Sequence, residues 1–360
     1  MADTRRARIG ISLGNIGSFA DGLGEFSLQL GRRIAAAAPH WREQFGISFD
    51  FHLRRQHIGL FGSDVSYLEI SRWQRLVHRQ PQPYALWHSL HQVNKTKPPV
   101  GCPVRVLTVH DLNPLHVANS AWERWRALQR ARGLAARTDQ MVAISQHTAD
   151  DVAQQLGWRG PMAVIHNGAT DLSAAPQEAL PGRDPARPFL FHLSRMSPSK
   201  NPQAILGLAA AWPEMDFVFC GPASEEAKAL RGEVRLPNVS FHLTISNAQK
   251  AWAYAHCAGF LFPSLTEGFG LPPVEAMYFG KPVFLARRTC LPEIGGAAAY
   301  YFDTFDAASM KAIVQAGLVQ GAQPARVAEV KARAAHFDWD RCAAQYLALY
   351  RSLLKLPAAG

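Results

Sequence analysis

The chain has 360 residues, 48% hydrophobic and 18% charged, enough for two domains with cores of their own and unlike a fibrous or disordered polypeptide. No run approaches the roughly 20 apolar residues of a membrane span, and residues 1–8 lack a signal peptide's apolar centre, so a cytoplasmic protein is expected. Five dispersed cysteines without a Cys-x-x-Cys pair imply neither a zinc site nor a disulfide framework, and a formal net charge of +10 suits an acidic partner: nucleic acid, an anionic membrane surface or a diphosphate substrate.

Residues 7–14 read as a first strand. Ala20-Asp21-Gly22-Leu23-Gly24-Glu25-Phe26 follows, then a helical run to about residue 38. Strand, glycine loop and helix in this order open a nucleotide-binding fold, with Gly22 and Gly24 in the loop. Further strands are expected at 47–53, 84–88, 104–109, 140–144 and 162–165, separated by segments able to hold helices. That alternation predicts a parallel sheet covered on both faces. Polar residues gather at strand ends, as in Thr108-Val109-His110-Asp111-Leu112, where ligands of open α/β sheets bind. His88 lies at another such end and is a candidate to line an acceptor cleft.

Residues 120–137 read as a helix bearing Trp122, Trp125, Arg126, Arg130 and Arg137. Tryptophan beside arginine suits peripheral contact with an anionic membrane. Because Arg124 and Arg132 spoil the segregation of faces, a solvated helix with its tryptophans packed on the core is the preferred reading.

A stretch rich in proline and glycine at 173–188 is read as a linker between residues 1–172 and a second α/β domain at 189–340, with a last helix in 341–360. Strands of the second domain are expected at 188–193, 216–220, 239–243, 258–262, 282–285 and 298–302. After the first of them comes Leu193-Ser194-Arg195-Met196-Ser197-Pro198-Ser199-Lys200-Asn201. Arg195 and Lys200 place a forked and a point-like cation near one loop, a means of neutralising a diphosphate without a metal.

The most informative stretch is Pro263-Ser264-Leu265-Thr266-Glu267-Gly268-Phe269-Gly270-Leu271-Pro272-Pro273-Val274-Glu275-Ala276-Met277. An apolar strand precedes it, and a helix begins near the two prolines. Gly268 and Gly270 let backbone approach a ligand closely, and free N–H groups of the new helix attract an anion, so the loop reads as a phosphate cradle. Glu267 and Glu275 would repel phosphate. They suit the hydroxyls of a sugar and a ribose.

Pro-Ser-x-x-Glu-Gly-Phe-Gly-Leu-Pro, followed by Glu-Ala-Met, Gly280-Lys281-Pro282-Val283 and Pro292-Glu293, resembles the family 4 retaining glycosyltransferases of GT-B fold, in particular bacterial lipopolysaccharide and capsule mannosyl- or rhamnosyltransferases. The resemblance covers nearly the whole chain and is strongest over 189–303. It implies two Rossmann-like domains facing each other across a cleft, with the C-terminal helix crossing back to the first. It further implies catalytic roles for His110, Arg195, Lys200 and Glu267. Gly22, Gly24, Gly221, Gly268, Phe269, Gly270, Leu271 and Glu275 would bind the donor, Glu275 at its ribose. The family usually has glycine where this chain has Ser194, a departure bearing on the geometry of the Arg195 loop.

The expected reaction moves a sugar from a nucleoside-diphosphate donor, GDP-mannose first among candidates, to a glycan or lipid-linked acceptor. No metal and no separate cofactor is expected. The resemblance implies front-face attack, in which the donor's own phosphate oxygen takes the acceptor proton. No helix-turn-helix, zinc or RNA-binding signature points to nucleic acid as a partner. Two other readings share these motifs: a GT-B nucleotide-sugar epimerase and a non-catalytic module that docks anions or nucleotide sugars.

Overall fold

The computed structural model describes residues 7–357 except 15, 17–21, 118–119 and 185–186. Its strands are β1 (Arg8–Ser12), β2 (Ser48–Leu53), β3 (Ser66–Glu69), β4 (Leu86–Ser89), β5 (Val104–Val109), β6 (Gln140–Ala143), β7 (Met162–Val164), β8 (Phe189–Leu193), β9 (Asp216–Gly221), β10 (Val239–Leu243), β11 (Gly259–Phe262), β12 (Val283–Ala286) and β13 (Tyr300–Phe302). The α-helices are α1 (Gly22–Phe45), α2 (Asn113–His116), α3 (Ala121–Ala135), α4 (Gln146–Leu156), α5 (Pro202–Ala210), α6 (Glu225–Glu233), α7 (Asn247–His256), α8 (Leu271–Tyr278), α9 (Leu291–Gly295), α10 (Ala307–Gly321), α11 (Pro324–Ala334) and α12 (Trp339–Leu353).

Two compact units result, one of residues 1–168 with 339–360 and one of residues 169–338. The division falls a few residues before each expected boundary. The segment read as a linker lies inside the C-terminal unit, because Arg183 Nη1 and Arg187 Nη2 both bond Asp216 at the start of β9, at 2.6 and 2.9 Å. Leu180, only 2% exposed, anchors the same segment.

The N-terminal unit holds one parallel sheet in the order β3-β2-β1-β4-β5-β6-β7. Ile9 on β1 sits opposite Phe49 on one side and Leu86 on the other, and all three are buried. Burial on both faces makes such strands continuous apolar runs, each large side chain stabilising by about 1.5–3 kcal/mol. The edge strand β3 was not expected, since Ser-Tyr-Leu-Glu is short, polar and only partly covered. Helix α1 also departs from expectation. It starts at Gly22 and runs to Phe45 through Pro39, because Trp41 packs its ring against Phe45 and Phe49, each 5.3 Å away.

Helix α12 belongs to this unit and packs on α1 and the sheet. Its hold on the strands is polar as well as apolar. His88 Nδ1 lies 2.6 Å from Tyr350 OH and Nε2 lies 2.8 Å from Thr108 Oγ1, which is in turn 3.1 Å from Tyr346 OH. His88 is therefore a satisfied core histidine rather than part of a cleft wall. Burial, with His110 nearby, lowers its pKa to about 3, so it is neutral.

The tryptophans of α3 are not packed on the core. Trp122 and Trp125 stack on each other at 4.9 Å and stay 61% and 50% exposed, since the helix buries only Ala135. Of the 38 Lys and Arg, 23 fall in the N-terminal unit against 13 of the 28 Asp and Glu, so it carries the whole net charge of +10; the C-terminal unit, with 15 of each, is neutral.

The C-terminal unit has a second parallel sheet in the order β10-β9-β8-β11-β12-β13. Phenylalanine fills it: Phe191, Phe217, Phe219, Phe260, Phe262, Phe284 and Phe302 are at most 2% exposed. The strand sequence β8, β9, β10 runs outward one way and β11, β12, β13 the other. Between β8 and β11 the winding reverses, the place where open α/β sheets bind their ligands.

Candidate functional site

The two motifs singled out in the sequence leave the sheet at this reversal, one after β8 and one after β11. Their loops are tied backbone to backbone: Leu265 N–H donates to Ser199 O at 2.7 Å, and Ser264 Oγ donates to the same carbonyl at 3.1 Å. So Lys200 and Glu267, 67 residues apart in sequence, meet with Nζ 2.6 Å from Oε1. Their side chains are 21% and 11% exposed, dry enough to strengthen the pair and open enough for a ligand to reach it.

Arg195 stands on the same loop as Lys200 with its side chain exposed, and its carbonyl accepts from Ser224 Oγ at 3.0 Å. The serine that replaces the family's glycine is built into the loop. His192 Nδ1–H donates to Leu261 O at 2.9 Å, which leaves Nε2 to accept from Ser194 Oγ–H at 2.7 Å; Ser194 Oγ in turn accepts Met196 N–H at 2.9 Å. Burial, offset in part by the Leu261 bond, lowers the His192 pKa to about 4 and keeps the ring neutral for this chain of bonds. Gly221 is required by the same loop: a Cβ there would stand 1.9 Å from Ser194 O.

Gly270 adopts φ +98° at the residue before α8, a conformation that favours glycine. Gly268 is buried. Phe269, 4% exposed, turns its ring edge-on to Phe337 at 5.4 Å, so it offers the loop its backbone rather than its side chain. Leu271 is the first helical residue. The helix behind it has fewer donors than its position suggests, because Pro272 and Pro273 have no N–H. Anion-binding capacity there rests on Leu271 and the loop amides before it, because the N–H of Val274 closes the first helical turn onto Gly270.

Glu275 is held at both oxygens, Oε1 by Lys250 Nζ and Oε2 by Tyr254 OH, each at 2.9 Å. Lys250 and Tyr254 project from α7, and sequence reasoning passed over both. Their only sequence signal is spacing, since residues four apart share a helix face. Thr266 was missed too. Its Oγ1 is buried beside Glu267 and has no hydrogen-bond partner among the described residues.

Backbone strain gathers at the same end of this sheet. Met196, Asn201, Thr244 and Thr289, on the loops after β8, β10 and β12, take φ between 51° and 62°, unusual for residues with a side chain.

In the N-terminal unit His110 follows β5 and is 4% exposed. Its Nε2–H donates to Leu90 O at 2.9 Å, and burial lowers its pKa to about 4, so the ring is neutral and Nδ1 carries the lone pair. Phe26 meets its ring edge-on at 4.7 Å and His91 stacks on it at 5.0 Å, which fixes its plane. Gly22 and Gly24 form the first turn of α1 instead of a preceding loop, and neither has a positive φ. Ala20 and Asp21 lie outside the described residues. Among the described residues no cluster of His, Cys, Asp or Glu is arranged to hold a metal ion, and no helix is long and apolar enough to cross a membrane.

Two family models match the chain: "Glycosyltransferase Family 4" over residues 36–171 and "Glycosyl transferases group 1" over residues 177–329. The chain is 34% identical over 224 residues to the serotype-specific mannosyltransferase WbdA of Escherichia coli, a match covering 56% of this chain and 27% of that protein. It is 35% identical over 103 residues to the O-antigen chain mannosyltransferase B of Escherichia coli, covering 28% and 27%. The chain thus spans about a quarter of the length of these relatives.

Among solved structures, sucrose-phosphate synthase from Thermosynechococcus elongatus superposes with a TM-score of 0.74 at 17% identity, over 97% of this chain and 100% of that one. Anabaena HepE in complex with UDP and glucose gives 0.70 at 19%, over 96% and 99%. At these identities the likeness shows a common fold, two parallel-sheet α/β units of the GT-B type. With one model matching in each half, the chain belongs to the family 4 glycosyltransferases.

Proposed function

We propose that this chain is a retaining, metal-independent glycosyltransferase that moves mannose from GDP-mannose to a glycan or lipid-linked oligosaccharide during cell-surface polysaccharide synthesis. The observation that carries the reading is the contact of Lys200 with Glu267 at the winding reversal of the second sheet. In this reading Lys200 and Arg195 stabilise the departing diphosphate, helped by the loop amides before α8, so the charge is met by the protein. Glu267, aligned by Lys200, accepts hydrogen bonds from the transferred sugar, and Glu275, fixed by Lys250 and Tyr254, accepts those of the ribose.

His110 presents Nδ1 to a sugar hydroxyl and orients the reacting carbon. The acceptor oxygen attacks the anomeric carbon on the face the diphosphate leaves; that C–O bond breaks, the pair of electrons departs with the diphosphate, and a phosphate oxygen takes the acceptor proton. Mannose is favoured because the WbdA and mannosyltransferase B relatives are named for it. The stacked, exposed Trp122 and Trp125, on a helix rich in arginine, fit peripheral contact with an anionic membrane.

The test is incubation with GDP-mannose and a lipid-linked glycan, in the presence of a metal chelator. Transfer with an α-linked product from the α-linked donor supports the reading. An inverted linkage, or epimerised donor without transfer, contradicts it.

A further inference from the structure

The N-terminal unit contains a basic pocket that the reaction above leaves unused. It opens on the face of β4 and β5 beside the end of α3, and its wall carries Arg75, Lys95, Lys97, Arg105 and Arg137 with no carboxylate among its lining residues. Two of these cations are engaged: Arg105 holds Asp139 through two bonds of 2.8 Å, and Lys97 Nζ donates to Leu76 O at 2.8 Å. The side chains of Arg75, Lys95 and Arg137 have no ion-pair or hydrogen-bond partner among the described residues, and all three are exposed. Like charges crowded this way repel one another unless an anion lies among them.

One lining residue carries a buried polar atom without a partner. His91 lines the pocket at 0% exposure; its Nε2 is 2.8 Å from Ser27 Oγ, and its Nδ1 has no partner. Leaving a buried nitrogen unpaired is unfavourable. An anion at Nδ1 would select the tautomer with the proton there, Ser27 Oγ–H then donating to Nε2.

The surroundings narrow the chemistry. Trp73, Leu76 and Val77, next to Arg75, are 64%, 64% and 53% exposed, and Val93 and Val100 flank the lysine loop at 44% and 64%. Of the exposed large hydrophobic side chains among the described residues, all but Val319 belong to this unit, which also holds the entire net positive charge. Apolar side chains around a basic recess match a phosphate attached to something apolar.

We propose that this pocket binds a phosphate group, with Arg75, Lys95 and Arg137 pairing its oxygens and His91 Nδ1–H donating to one of them. The phosphate belongs to a lipid headgroup or to a soluble phosphorylated molecule, and one experiment separates the two.

The full chain, the Arg75→Ala/Arg137→Ala double variant and Lys200→Ala are titrated with sodium phosphate against sodium chloride of equal ionic strength, following unfolding temperature and the His91 Nδ1 resonance in protein labelled with ¹⁵N-histidine. Flotation with vesicles of phosphatidylglycerol and phosphatidylcholine, against phosphatidylcholine alone, forms the second arm. We expect phosphate to raise the unfolding temperature and move the His91 resonance in the wild type and in Lys200→Ala, and to bind at least ten-fold more weakly in the double variant. Capture by the anionic vesicles, lost in the double variant, identifies a lipid headgroup; the phosphate response without such capture identifies a soluble ligand. No response beyond that to chloride, or an equal one in the double variant, overturns the proposal. A response abolished by Lys200→Ala alone assigns the phosphate to the donor loops, and overturns the pocket while leaving the donor reading intact.

Discussion

Lys200 Nζ and Glu267 Oε1 are 2.6 Å apart, on loops that leave neighbouring strands of a parallel sheet where its winding reverses. Each is the other's partner before any substrate arrives, so removing either has two consequences. Lys200→Ala should lower kcat by about 10²–10³, the size expected when one charged donor to a leaving group is lost. It should also cost about 1–3 kcal/mol of stability by leaving Glu267 half-buried and unpaired. In the double variant Lys200→Ala/Glu267→Ala the stability loss should be smaller than the sum of the single losses, as thermal unfolding of all four proteins would show.

Gly221→Ala tests the loop rather than its charges. Its Cβ would meet backbone, Ser194 O, which cannot rotate away. We expect a loss of about 1–3 kcal/mol and weaker nucleotide binding, since the loop carrying Arg195 must move. Unfolding and nucleotide titration of the variant would check this; wild-type values in both would show that the loop yields freely.

Acid should destabilise the N-terminal unit before the C-terminal one. Burial lowers the pKa of His52 to about 4, of His88 to about 3 and of His110 to about 4 in the N-terminal unit, against His192 at about 4 in the other. Below about pH 6.5 the unfolded chain binds these protons and the folded chain does not, so stability falls with pH. Each histidine contributes about 1 kcal/mol between pH 6.5 and 5.5. With His91 also held well below its ordinary value by burial, the N-terminal unit should lose roughly 4 kcal/mol over that interval from this source and the C-terminal unit roughly 1. Calorimetry across the range would resolve the two transitions, and a uniform decline of both would contradict the assignment.

Much of this architecture can be read from the residues. Phenylalanine-rich strands buried on both faces announce a parallel sheet, and every expected strand lies within two residues of an observed one. The loops after β8 and β11 are legible because glycines, cations and carboxylates stand out against apolar strands. What escapes is built from distant pieces. Lys250 comes from an otherwise ordinary helix, the recess around His91 from four separate segments, and β3 has too little apolar character to show. The imperfect segregation of faces on α3 points to tryptophans packed on the core; instead they pair with each other, and no core side chain receives them.

Tyr350→Phe should separate folding from chemistry. It removes the hydroxyl beside His88 Nδ1, in a wholly buried network that joins α12 to β4 and β5. We expect about 1–3 kcal/mol of destabilisation with little change in nucleotide affinity, because the affected residues lie in the N-terminal unit. Unfolding and titration of the same preparation would decide it.

The most direct test of the donor site is calorimetric titration of the full chain and Lys200→Ala with GDP and UDP, with a metal chelator in the buffer. We predict that one nucleoside diphosphate binds the wild type despite the chelator and binds Lys200→Ala at least ten-fold more weakly, a difference of about 1.4 kcal/mol or more. Equal affinity in the two proteins, or binding that disappears with the chelator, would contradict a metal-independent diphosphate site built on Lys200.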